Sequence, residues 1–134
     1  MSGSTTRFGS GLLPCVAALT IAASSARADP VPEKTPFEGA WVPKGALGTC
    51  EETKLGAGGD GFLIEGRRIG AGDTVCTFDD MTVQKSIHYF RMNCHGLNRA
   101  FAGTKFIRID VLDPDRILFR HQGEKSSEKQ RCPK

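Results

Sequence analysis

No segment of this 134-residue chain supplies the roughly 20 consecutive apolar residues that a helix needs to cross a bilayer; the most apolar stretch, Gly11 to Ala23, holds thirteen. A membrane-spanning segment is therefore not expected. Aromatic residues are scarce, with one Trp and one Tyr, and nothing after Ala28 keeps an apolar period of 3.6 over three turns, which argues against a helical bundle. No Ser-His-Asp arrangement, H-E-x-x-H, G-x-S-x-G or nucleotide fingerprint occurs, and no two cysteines are close enough to form a C-x-x-C knuckle. The three histidines, His88, His95 and His121, show no spacing that brings them together. No catalytic residue, metal or cofactor is expected, and an enzyme is disfavoured. The glycine-rich segment Lys54 to Gly61 lacks the Lys-Ser/Thr ending of a phosphate-binding loop and leads into no helical pattern, so it reads as a turn-rich, flexible connection.

The chain opens with a recognisable export signal. Arg7 precedes the apolar stretch, and Ala26-Arg27-Ala28 presents the small-x-small pattern of a signal peptidase site. Residues 1–28 are expected to be a signal peptide cleaved before Asp29, which places the protein in the periplasm or outside the cell. Cys15 lies within the apolar run and follows Pro14, an arrangement that does not suit lipidation. Loss of Arg7 and Arg27 leaves sixteen Lys and Arg against fifteen Asp and Glu, a net charge of +1. Nucleic acid is not an expected partner of such a chain. The charge is unevenly placed: residues 29–84 carry five basic and ten acidic side chains, residues 85–134 eleven and five. Mutual complementation within one fold is the simplest reading of that asymmetry.

Four cysteines remain after cleavage, Cys50, Cys76, Cys94 and Cys132. In a short exported chain with a modest core, an even number reads as two disulfides. Asp29 to Pro36 has three prolines in eight residues and should be an extended, mobile lead-in. From Phe37 onward, short apolar runs, several alternating at period two, are separated by Gly, Pro and Asp. The expected strands are Phe37 to Val42, Gly61 to Glu65, Thr74 to Phe78, Ser86 to Cys94, Thr104 to Val111, Arg116 to His121 and a last one near Glu128 to Cys132, with a further short one around Arg68 to Gly70. The chain is thus expected to be all-β, a small antiparallel barrel or sandwich of about seven or eight strands formed by residues 37–134. Its expected core is Trp41, Phe62, Ile64, Phe78, Phe90, Met92, Ile107, Ile109 and Phe119.

Side-chain parity tests the pairing. A hairpin centred on Lys85 sets Cys76 opposite Cys94 and Phe78 opposite Met92, and both pairs agree on one register. Directly opposed side chains are close enough for a disulfide, so Cys76–Cys94 is predicted and Cys50 is left for Cys132. The second bridge would close a long loop and contribute about 4 kcal/mol. Asp79-Asp80 reads as a turn. A second hairpin turns at Asp113-Pro114-Asp115. Centred on Pro114 it opposes Arg108 to Arg120, a like-charge pair that needs an anion or carboxylate between them; centred on Asp115 it pairs Asp110 with Arg120. The sequence leaves both registers open.

In either register Tyr89, Arg91, Phe106, Arg108 and Arg120 stand on strand faces as a candidate partner surface, an arginine-plus-aromatic sheet suited to an acidic protein or glycan. A barrel interior could alternatively take a small apolar ligand.

Gly39-Ala40-Trp41, at the start of the first strand, resembles the G-x-W opening of lipocalins and of small periplasmic barrel inhibitors of bacterial metalloproteases. That resemblance implies a tryptophan packed across the barrel floor. The wider layout is similar to small exported four-cysteine proteobacterial proteins of unknown function: Trp41, Cys50, Gly66 with Ile69 before Cys76, Cys94-His95-Gly96 and Arg131-Cys132-Pro133. It implies a compartment and a disulfide framework. Taken together, the sequence predicts an exported, non-enzymatic binding or envelope-accessory protein, with inhibition of a secreted hydrolase as the alternative and a small periplasmic enzyme as a distant third.

Overall fold

The computed structural model describes residue 3 and residues 28–56, 59–96 and 102–134, so nearly all of the expected signal peptide, residues 1–28, lies outside the described residues. The strands are β1 (Asp29–Pro30), β2 (Gly39–Pro43), β3 (Phe62–Glu65), β4 (Arg68–Ala71), β5 (Thr74–Gln84), β6 (Ile87–His95), β7 (Gly103–Asp113), β8 (Arg116–His121) and β9 (Ser127–Arg131). A 3-10 turn (Leu47–Thr49) leads into one short helix, α1 (Cys50–Lys54). Each strand from β2 to β9 pairs antiparallel with its sequence neighbour, and β2 pairs with β9. The result is a closed eight-stranded antiparallel barrel, with β1 added on the outer flank of β5. Of the two expected architectures, barrel and sandwich, closure selects the barrel and leaves no unpaired edge in the ring.

The local chemistry explains the connections. Gly66 and Gly72, both at positive φ, occupy the two-residue turns β3–β4 and β4–β5, where side chains bearing a Cβ are strained. Alternation then sorts the faces. Along β6, Phe90, Met92 and Cys94 are buried while Arg91, Asn93 and His95 point out; along β7, Ile107 and Ile109 are buried. Every expected core residue lies in this interior cluster, Phe119 as a half-buried neighbour of the rest.

The β5–β6 hairpin agrees with the expected register at one end and departs from it at the other. Cys76 faces Cys94 and Phe78 faces Met92, but from Asp80 onward the pairing slips by one, with Asp80 opposite Arg91 and Gln84 opposite Ile87. A β-bulge at Asp79 takes up the extra residue. The turn is therefore Lys85-Ser86 and not a loop centred on Lys85, and Lys85 itself has φ 57°. Asp79-Asp80, expected as a turn, lies inside a strand that continues to Gln84, and the Asp80 carboxylate accepts from Arg91 at 2.7 Å. In the next hairpin Arg108 opposes Arg120, the register centred on Pro114, with a second irregularity after Val111.

Strand β2 is apolar on both parities because both of its faces are covered. Trp41 points inward, while Ala40 and Val42 pack outside the barrel with Cys50, Cys132, Ala46 and Leu63. The outer layer is α1, which sequence periodicity missed because five residues are too few to show one. Gly61 allows its close approach: a Cβ there would lie 2.5 Å from Thr53 Oγ1 and 3.0 Å from the Trp41 carbonyl oxygen.

The proline-rich lead-in, expected to be extended and mobile, starts as the two-residue β1, bends at residues 33–34, turns at residues 36–37 and is docked on the barrel. Asp29 and Pro30 pair with β5, and Val31, Thr35 and Phe37 are buried. Phe37 enters one end of the barrel, where its ring lies edge-on to His88 at 4.8 Å and to Phe90 at 6.1 Å. The Trp41 indole donates to the Phe37 carbonyl at 2.9 Å. Arg131 lies over the Trp41 ring at 4.3 Å and donates to the carbonyls of Pro36, Glu38 and Pro114. These contacts plug that end.

Both predicted disulfides form, Cys50–Cys132 and Cys76–Cys94. They span 82 and 18 residues, so chain entropy assigns about 4 kcal/mol to the first and about 3 to the second. Replacing Cys50 and Cys132 together with Ser should lower the denaturation midpoint more than replacing Cys76 and Cys94. The reverse order in urea unfolding would show that closing the long loop is not the dominant contribution of the first bridge.

Candidate functional site

The end of the barrel opposite the plug is open. Toward the plug, the inward positions hold Trp41, Phe78 and Phe90, which fill the lumen. Toward the open end they hold Ala71, Thr74 and Ser127, and these small side chains leave a cavity of about 600 Å³. This volume falls within the range of small-molecule sites, roughly 300–1,000 Å³, and an eight-stranded barrel is wide enough to hold one such ligand. Its wall is apolar: Phe62 and Phe119 with ring centroids 4.6 Å apart, Ile69, Met92 and the Cys76–Cys94 disulfide. Its polar lining comprises Asp60, Lys105, His121, Glu124, Lys125 and Lys129.

Lys129 is the unusual member of that lining. It stands on the parity of Arg131 and so projects inward; it is only 8% exposed, the one buried cationic side chain among the described residues. Its Nζ donates to the Asp60 carbonyl at 3.0 Å. Burial pulls its pKa below the ordinary lysine value, with the Asp60 and Glu124 carboxylates opposing the shift. An ammonium has three donors, and one acceptor is accounted for among the described residues.

All five residues expected to form a partner surface lie together on the outer face of β6–β8. Tyr89, Arg108 and Arg120 form one cross-strand row, and Arg91 and Phe106 the adjacent pair. Their chemistry is not equal. Arg91 is held by Asp80, and Arg108 is shared between Asp110 at 3.8 Å and the Tyr89 ring at 5.8 Å. Arg120 is exposed and has no ion-pair partner among the described residues. Phe106 is 48% exposed. A shallow groove of about 330 Å³ runs between them, bounded by Gln122 and Glu124.

The histidines do not converge. His95 points outward opposite Val75, whereas His121 lines the cavity. His88 projects inward beneath Phe37, on the row of Ile109 and Phe119. No group of three or more His, Cys, Asp or Glu side chains that could hold a metal ion occurs among the described residues. The inward lysine and the small residues around it are what sequence reasoning missed. Parity with Arg131 was the available signal for Lys129, but reading it required the register of β9 against β8 and β2, which sets Lys129 beside the buried Ile117.

His88 gives a pH prediction. Its Nδ1 is buried without a partner among the described residues, and burial lowers its pKa from the ordinary 6.5, an effect only partly offset by the Ser86 backbone. The unfolded chain therefore binds this proton more readily than the folded one. The contribution of His88 is neutral above pH 6.5 and becomes destabilising as pH falls through that value toward the lower folded-state pKa. In thermal melts between about pH 7 and pH 5, His88→Phe should lose less of its midpoint than the wild type. Identical pH profiles would remove His88 from this role.

Comparison with family models, with curated proteins and with solved structures finds no match to this chain.

Proposed function

We propose that this is an exported, non-enzymatic binding protein that holds a small ligand in the open end of its barrel. The observation that carries the reading is the cavity itself: about 600 Å³, apolar in its wall, polar in its lining and closed on the far side by the docked lead-in. Burial of an apolar ligand there would be favoured by roughly 25 cal/mol per Å² of surface removed from water. Export is supported by the two disulfides, which persist in oxidising compartments. No helix among the described residues is long and apolar enough to cross a membrane. The inhibitor alternative is less well supported, because it calls for an arm that reaches into a protease, and the described N-terminal residues instead pack into the barrel end. Native mass spectrometry of the protein, purified without denaturation from the envelope of its own source, should show one added small molecule per chain. Bare protein, together with no uptake of apolar fluorescent probes, would sink the proposal.

A second reading rests on a separate observation, the opposed Arg108 and Arg120 beside exposed Phe106 and half-buried Tyr89. Two like charges directly across a sheet disfavour each other, and an anionic group seated between them would relieve that repulsion. This face suits an acidic protein or glycan surface. On immobilised heparin, used as an anionic probe, Arg120→Glu should lower the eluting salt concentration more than Lys85→Glu, which reverses an exposed charge at the β5–β6 turn. Equal shifts would reduce the effect to net charge.

A further inference from the structure

We propose that the cavity ligand is an amphipathic anion, a single apolar chain or ring ending in a carboxylate, whose headgroup pairs with Lys129. The inference rests on the cavity reading and specifies its ligand class. An apolar body alone would account for Phe62, Ile69, Met92 and Phe119, but it gives no reason for a lysine turned inward. A buried ammonium is costly unless it is paired and hydrogen-bonded, and here one neutral carbonyl, that of Asp60, accepts from it at 3.0 Å. A carboxylate would take the remaining donors and restore the charge stabilisation that burial removes. The charged lining as a whole carries three lysines, Lys105, Lys125 and Lys129, against the two carboxylates of Asp60 and Glu124. Lys129 is flanked by apolar neighbours on the two adjoining strands, Ile117 on β8 and Pro43 on β2. A headgroup at Lys129 would leave the chain against Phe62, Ile69, Met92 and Phe119, which line the same cavity.

The test compares three probes of equal chain length, decanoate, decanol and decyltrimethylammonium, by calorimetric titration of the processed protein with both disulfides intact. Decanoate should bind about tenfold or more tighter than decanol, the increment of one charge-assisted hydrogen bond, and the cation should bind most weakly. Lys129→Met keeps the length and apolar stem of the side chain and should bring decanoate down to the affinity of decanol while leaving decanol unchanged. Lys129→Arg should retain the preference. A readout in the wild type avoids dependence on the folding of any variant: the Lys129 Cε resonance should shift when decanoate binds and stay in place with decanol. Equal binding of decanoate and decanol would overturn the anionic ligand while leaving the cavity reading intact. Binding of none of the three would overturn both. A decanoate preference that survives Lys129→Met, with no Cε shift, would overturn the assignment of Lys129 as the anchor.

Discussion

The pairing of the first barrel strand with the last is the contact on which the rest of the structure depends. Every other strand contact in the ring joins sequence neighbours, with α1 carried on the connection from β2 to β3, whereas β2 and β9 lie at opposite ends of the domain and their meeting costs loop-closure entropy. Two interactions offset that cost. The Cys50–Cys132 bridge ties α1, which covers the outer face of β2, to the residue following β9. Inside, Arg131 of β9 lies over Trp41 of β2 and donates to three carbonyls. Outer staple and inner clasp act on the same strand pair from its two faces. The covered outer face is also why β2 departs from alternation.

Closure then makes the two ends of the barrel different. At one end, residues 31–38 and the aromatic side chains they meet fill the lumen, and the clasp holds them in place. At the other, the inward positions shrink to Ala71, Thr74 and Ser127, and space remains. Side-chain volume along the strands and the docked lead-in together make the difference, since the backbone ring is continuous. A cup with one sealed end has the shape to hold a ligand without becoming a channel, and on the proposed reading an inward lysine in its lining would give that ligand a preferred charge. The same geometry places the Cys76–Cys94 bridge in the cup wall, where its first role is to pin the register of the β5–β6 hairpin.

The outer surface follows a separate logic. Ion pairs join the two halves of the chain: Asp80 with Arg91 across β5 and β6 follows the acidic-to-basic asymmetry, and Lys44, just after β2, with Glu128 of β9 runs against it. Exposed pairs of this kind contribute little individually, typically under about 1 kcal/mol. Their significance lies in what they leave over. With Arg91 neutralised and Arg108 partly so, Arg120 beside Phe106 becomes the distinctive feature of that face.

What the sequence determined by itself was local and periodic. Alternation marked the ring strands near their observed places and separated core from surface residues, and parity within one hairpin was enough to pair Cys76 with Cys94 and, by elimination, Cys50 with Cys132. It also placed Tyr89, Arg91, Phe106, Arg108 and Arg120 on exposed strand faces. Bulges were beyond its reach, because the slip at Asp79 goes with contacts that local alternation does not carry, Asp80 with Arg91 and Met81 with the core. The docking of the lead-in was equally invisible, since Val31 and Phe37 find their partners only where a barrel end exists to receive them. Only the tertiary structure decided that there is a cavity and that Lys129 faces it. Which way a lysine on a strand points is fixed by the strands beside it, and for β9 those are β8 and β2, the second brought alongside only by closure of the ring.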